Sequence, residues 1–220
     1  LKGPLVKAAQ LLAVVPDLLP EEVSRELRQL QSSAPPMGWL FVKRRMKAEL
    51  GGDWQAKFEE FEKEAAAAAS LGQVHRAWLP DGTKVACKLQ YPDMSSAVEA
   101  DLAQLRTLMG LVKRYEGIID THEIFAEISN RLREELDYAQ EARYTKAFGE
   151  ILKDQAGVNT AGVIDEVSTG RLITQTWMEG RPFIDFVEDP ETSQEQRNII
   201  AEKMFRAWYV PFYHYGIIHG

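Results

Sequence analysis

At 220 residues and 45% apolar content, the chain is long enough to bury a sizeable core. Its net charge of −7, without a basic stripe, argues against a nucleic-acid binder, and no run reaches the roughly 18 apolar residues of a membrane span. A single cysteine, Cys87, excludes an internal disulfide framework, and His75, His122, His214 and His219 are scattered without zinc spacing.

In chain order, Leu1, Leu5, Ala8, Leu12 and Val15 recur at helical spacing. The segment lacks a cleavage-type end, so it reads as an amphipathic helix rather than a secretory signal. It opens on leucine, and further sequence is expected upstream. Lys7 and Gln10 lie one turn apart, where they either act on a common target or are both solvated. Pro16 and Pro20 break this helix, and a second one runs to Leu30. Ser32–Pro36 is a linker. Helices are expected at about 37–49 and 53–64, separated by Gly51-Gly52, with Lys43-Arg44-Arg45-Met46-Lys47 as a solvated face. Residues 1–64 thus read as a helical extension.

Residues 65–92 form the organising stretch: five alanines, then strands at Val74–Leu79 and Thr83–Gln90 around Asp81-Gly82. The period of two places Val85, Cys87 and Leu89 on one face and Ala86 and Lys88 on the other. A small residue and a lysine beside a small-residue loop suit the roof of a kinase nucleotide site. An ordinary surface hairpin with a solvated lysine fits the same residues.

A helix follows at about Met94–Tyr115, and another at about Thr121–Ile151. On the second, Glu134, Asp137 and Glu141 share a face, with Glu135 about a third of a turn away. Local pairing with Arg131 and Arg143 is the ordinary reading of such carboxylates. Strands are expected at about Gly162–Val167 and Arg171–Trp177, a break at Met178-Glu179-Gly180, helix from Phe183, and a long helix at about Ser193–Tyr215. Early strands and later helices indicate an α+β fold with a small antiparallel sheet.

Five ordered elements resemble the UbiB/AarF family of atypical protein-kinase-like proteins, which includes the coenzyme Q-associated kinases. Ala67-Ala68-Ala69-Ser70-Leu71-Gly72-Gln73-Val74-His75 is similar to the family's alanine-rich replacement for the kinase glycine loop. Val85-Ala86-Cys87-Lys88 resembles the nucleotide-lysine strand, followed by Gln90-Tyr91-Pro92. Glu135-Leu136-Asp137-Tyr138 with Glu141-Ala142 is similar to the Glu-x-Asp element and the ion-pairing glutamate. Lys7-Ala8-Ala9-Gln10 resembles the Lys-x-Gly-Gln signature, with Ala9 in place of glycine. Gly216-Ile217-Ile218-His219-Gly220 is similar to the lead-in to the catalytic loop.

The resemblance implies a kinase-like N-lobe over 65–180, preceded by the helical extension and followed at 181–220 by the start of a helical C-lobe. It implies that Lys88 and Glu141 are the catalytic pair, and that Ala67, Ala68, Ala69, Ser70, Lys88 and Met178 contact ATP or ADP. Lys7, Gln10, Glu135 and Asp137 are implied to be regulatory, lying where a protein substrate normally sits. The family's catalytic aspartate and metal-binding Asn and Asp are expected beyond Gly220, and with them the Mg²⁺ ligands, so this stretch by itself is not expected to turn over.

The implied function is that of an atypical kinase-like ATPase supporting ubiquinone biosynthesis. Lipids or quinone-pathway proteins are the implied partners, with peripheral membrane contact through the first helix. The implied location is the cytoplasm or the inner membrane, on the matrix side in a eukaryote. A non-catalytic nucleotide-sensing or lipid-associated scaffold is the alternative.

Overall fold

The computed structural model describes residues 36–69, 71–116 and 121–218. The expected helices at 1–30, with Lys7 and Gln10, fall outside the described residues, as do Ser70, His219 and Gly220.

The fold is organised on a five-stranded antiparallel sheet in the order β1-β3-β4-β5, with β2 pairing β3 off that path. Its strands are β1 (Glu60–Phe61), β2 (Ala67–Ala68), β3 (Gly72–Trp78), β4 (Lys84–Gln90) and β5 (Leu172–Thr176). β3 and β4 form the expected hairpin, in register from Gly72↔Gln90 to Trp78↔Lys84. The turn follows from its residues: Gly82 has φ +82°, and the Asp81 carboxylate accepts from the Thr83 N–H at 2.9 Å.

The alternation on β4 is realised. Val85, Cys87 and Leu89 are fully buried, while Lys84, Ala86 and Lys88 face the other side and are only partly covered. On the buried face lies α1 (Trp39–Leu50), which contributes Val42 and Met46 to the same core as Trp54, Phe58, Ala77 and Leu172. The packed core therefore continues across position 64/65, where the sequence reading placed the start of the lobe.

Four local expectations are corrected. The helix expected at 53–64 is a short 3-10 turn, Trp54–Lys57, followed by β1. Trp54, Phe58 and Phe61 recur at near-helical spacing, but they meet as an edge-to-face cluster, with centroids 5.4 Å apart for Trp54–Phe61 and Phe58–Phe61. A strand serves that packing better, because it also pairs Phe61 with Ala77 on β3.

The basic run at 43–47 is not a uniformly solvated face. Met46 is fully buried. The Arg45 guanidinium donates to the carbonyls of Gln90 and Tyr91 at 3.2 and 3.1 Å and to Glu49 at 3.0 Å, satisfying backbone acceptors at the end of β4.

The third correction concerns the acidic helix, which is two helices: α3 (Thr121–Glu134) and α4 (Tyr138–Leu152). The Asp137 carboxylate accepts from the Gln140 N–H at 3.0 Å and caps α4. An aspartate competes with the helix for backbone donors, so a new N-terminus is its favoured place. Glu134 and Glu141 therefore stand on different helices and do not share a face with Asp137. Leu136, on the break, packs against a second core in which Val98, Leu102 and Leu105 of α2 (Met94–Glu116) meet Ile128 and Leu132 of α3.

Of the two late strands only β5 forms. The expected strand at 162–167 is reduced to a Val163↔Gln175 bridge and a 3-10 turn at Asp165–Val167. The Ser168 hydroxyl donates to the Ile164 carbonyl at 2.7 Å and accepts from the Thr174 N–H at 2.9 Å, replacing ladder bonds that a strand would supply. α5 (Phe183–Glu188) follows, then α6 (Gln194–Tyr215), which begins on a capping box between Ser193 and Gln196.

Candidate functional site

Lys88 lies on the open face of β4, and α4 crosses near it. Asp137 starts α4, so Glu141 falls one turn in, opposite the strand. Their side chains meet: Lys88 Nζ is 2.9 Å from Glu141 Oε1 and 2.8 Å from Oε2. The two side chains keep 32% and 36% exposure, so the pair sits at the edge of an accessible surface rather than in the core.

Several contacts hold this geometry. Lys88 Nζ stands 4.7 Å from the Tyr138 ring centroid, a cation–π arrangement. Tyr138 is buried, and burial first, then the charges of Glu141 and Glu135, push its phenol pKa upward. Its ring packs with Ala142 and Ile173, the cross-strand partner of Lys88. One turn beyond Glu141, Thr145 donates to the Glu141 carbonyl at 2.9 Å and accepts from Gln175 Nε2 at 3.2 Å, tying α4 to β5.

The alanine segment sits at the start of β3. Ala67 and Ala68 pair with Val74 and Gln73, and the Ala69 N–H donates to the Gly72 carbonyl at 2.8 Å. A tight hairpin results. Ala69 is not among the residues with positive φ, so alanine sits there without backbone strain. Gly72 is where glycine is required: a Cβ would collide with the Leu89 carbonyl oxygen and stand 2.9 Å from the Tyr138 hydroxyl.

At the far end of β5, Met178 is 50% exposed. Next to it the Trp177 N–H donates to the Lys84 carbonyl at 2.9 Å, and Glu179 pairs with Lys84. Arg76 stacks 4.4 Å over the Trp177 ring and bonds Glu62 at 3.2 Å. Of the regulatory candidates, Glu135 and Asp137 occupy the break between α3 and α4, and Asp137 acts as the helix cap. Among the described residues, no group of three or more His, Cys, Asp or Glu side chains is placed to hold a metal ion.

The structure thus brings Lys88 to Glu141, with Tyr138 beside them. The tyrosine was missed from the sequence, although its place directly after a helix-capping aspartate is a usable signal. Arg45, Gln73 and His75 were also missed as structural anchors. Their long-range partners have no trace in local spacing.

A family model for the ABC1 atypical kinase-like domain matches residues 29–220. The chain belongs to this family, the UbiB/AarF proteins. Among UbiB/AarF relatives, atypical kinase COQ8, mitochondrial, of Saccharomyces cerevisiae is 35% identical over 94% of this chain and 41% of its own length. The mitochondrial atypical kinase coq-8 of Caenorhabditis elegans is 33% identical over 92% of this chain and 26% of its own. AarF domain-containing protein kinase 1 of Xenopus laevis is 30% identical over 99% and 42%. The chain therefore spans less than half the length of these three relatives.

A solved structure, the complex of Rv3197 with erythromycin from Mycobacterium tuberculosis, superposes with a TM-score of 0.74 at 31% identity. It covers 100% of this chain and 55% of that one. The α+β architecture is accordingly that of a protein-kinase-like N-lobe.

Proposed function

We propose that this chain is the nucleotide-holding part of an atypical kinase-like ATPase, and that the longer protein supports ubiquinone biosynthesis. The observation that carries the reading is the two-oxygen ion pair between Lys88 and Glu141 on the open face of the hairpin. An ammonium has three N–H donors. Glu141 engages two and fixes the head of a flexible side chain, leaving a donor for a phosphate oxygen of ATP or ADP.

Around this pair, Ala67, Ala68, Ala69 and Ser70 cover the phosphates, and Met178 meets the adenine end. Mg²⁺, when bound, neutralises phosphate charge. Its ligands and the base that orients an attacking hydroxyl are proposed to lie beyond residue 220. Lys7, Gln10, Glu135 and Asp137 restrict access of protein substrates and favour lipids or quinone-pathway proteins.

Two relatives named as mitochondrial support a mitochondrial location in a eukaryotic source, and the matrix side belongs to this proposal. Among the described residues no helix is long and apolar enough to cross a membrane; membrane contact in this reading is made through the first helix. Calorimetry on the longer protein with ATP or ADP and Mg²⁺ tests the reading. Binding that Lys88→Ala abolishes or weakens supports it; equal affinity in a folded Lys88→Ala variant rejects it.

A further inference from the structure

On its buried face β3 carries two polar side chains, Gln73 and His75, both with 0% exposure. Buried polar groups persist where every donor and acceptor is matched. The Gln73 oxygen accepts from the Met37 N–H at 2.7 Å, and its Nε2 donates to the Met37 carbonyl at 3.2 Å. One side chain thus pairs both backbone groups of a residue 36 positions earlier, as a neighbouring strand would. The second Nε2 hydrogen points to His75 Nε2 at 2.8 Å, and His75 Nδ1 lies 2.9 Å from the Glu62 carbonyl.

These contacts admit one arrangement of hydrogens. Nδ1 faces a carbonyl and carries the proton, which leaves Nε2 as the acceptor for Gln73. His75 is therefore neutral, and its acceptor nitrogen fixes which way the Gln73 carboxamide points. Flipping that carboxamide would set its NH₂ against the Met37 N–H and its oxygen against the Met37 carbonyl. Phe61, stacked at 5.4 Å and 30°, holds the imidazole plane.

The location gives the network a use. Met37 follows the Ser32–Pro36 linker, 27 residues after Gln10 in the chain. Gln73 pairs through its own backbone with Ala68, one step from the Ala69–Gly72 closure of the alanine hairpin. We propose that Gln73 is a positioning residue: its buried carboxamide, oriented by His75, docks the chain at Met37 onto the strand that closes the alanine loop. Slack in the dock passes to the loop, and through the loop to the affinity for nucleotide. That last coupling rests on the nucleotide reading above; the dock itself does not.

The test uses the full-length protein and amide hydrogen exchange at Met37. Met37 is 37% exposed and lies outside any helix or strand, and its N–H is held by the buried Gln73 oxygen rather than by a backbone ladder. In wild type this amide exchanges far more slowly than a free peptide. Exchange at the free-peptide rate overturns the dock before any variant is made. Gln73→Met keeps volume and removes the hydrogen bonds, and is expected to speed Met37 exchange roughly tenfold while β4 amides stay protected. Unchanged Met37 exchange in that folded variant also overturns it.

The coupling is read by calorimetry with ADP and Mg²⁺. A Kd weakened about threefold or more in Gln73→Met supports it, given the roughly tenfold exchange effect expected for one lost hydrogen bond. Tight wild-type binding with an identical Kd in the variant overturns the coupling alone. No binding by wild type overturns the nucleotide reading and the coupling with it, while Met37 exchange still decides the dock.

Discussion

Lys88 and Glu141 are 53 residues apart in sequence, yet one ammonium meets both carboxylate oxygens, at 2.9 and 2.8 Å. The contact depends on two independent local facts: the strand parity that turns Lys88 away from the core, and the Asp137 cap that starts α4 four residues before Glu141. Because both side chains are about a third exposed, solvent screens the pair. Its worth to stability is then small, about 1 kcal/mol or less. Lys88→Ala in the longer protein should leave the unfolding free energy within that range and weaken ATP affinity at least about tenfold, the equivalent of ~1.4 kcal/mol. Chemical denaturation and calorimetry on the same samples separate the two effects.

The alanine hairpin supports a second expectation. Ala69 does not have a positive φ, so glycine there adds freedom without relieving strain. Ala69→Gly should cost about 0.5–1 kcal/mol of stability and change ATP or ADP affinity, because the loop samples more conformations. Unchanged affinities for both nucleotides would remove the functional case for this loop.

Gly72 should behave in the opposite way. A methyl group there meets the Leu89 carbonyl and the Tyr138 hydroxyl, both on packed elements. Gly72→Ala is expected to destabilise by about 1–3 kcal/mol, as overpacking does. At Gly180 a Cβ meets nothing within 4 Å, so Gly180→Ala should stay within about 0.5 kcal/mol. Thermal unfolding of the two variants side by side makes the comparison.

Asp137 has two assignments that substitution can separate. As the α4 cap it accepts from the Gln140 N–H at 3.0 Å. Asp137→Ala should cost about 1 kcal/mol, and Asp137→Asn much less, since asparagine caps as well as aspartate. A regulatory role that needs the carboxylate charge shows itself if the stable Asp137→Asn variant alters substrate or nucleotide selectivity in the longer protein. Selectivity identical to wild type leaves only the cap.

His75 gives a pH prediction. Burial is the main cause lowering its folded pKa below 6.5, against smaller opposing contributions from the Glu62 carbonyl and charge. Across the strand pair lies Cys87, whose thiol, pushed up to about 12 by burial, stays protonated and uncharged. The unfolded chain therefore binds a proton at His75 before the folded one does. The stability tied to neutral His75 is complete above pH 6.5 and declines as the pH falls below that value. His75→Gln keeps a polar side chain but does not titrate. Its melting temperature should fall less steeply than that of wild type on acidification from neutral pH; parallel curves would sink the assignment.

How much was legible in the sequence depended on the range of the interaction. The hairpin could be read because its causes are local: Asp81-Gly82 sets the turn, and parity sets the faces. The long helix was expected at about Ser193–Tyr215 and forms over Gln194–Tyr215. The motifs that resemble the UbiB/AarF family named Lys88 and Glu141, and the family model agrees on the family.

Where packing at long range competed with local pattern, the sequence alone misled. Trp54, Phe58 and Phe61 had helical spacing, but an aromatic cluster on the sheet favoured a turn and a strand. Residues 121–151 looked like one helix, because nothing local shows that Leu136 is claimed by a second core and that Gln90 Nε2 donates to its carbonyl at 2.7 Å. Arg45 looked solvated until the end of β4 supplied it with carbonyls.

The sequence by itself determined the turn, the faces of the hairpin and the family, all of which rest on neighbours within a few residues or on ordered motifs. Only the tertiary structure decided that Lys88 meets Glu141 beside Tyr138, and that Gln73 closes on Met37. Those contacts join residues dozens of positions apart, and their geometry is set when the sheet and α4 pack.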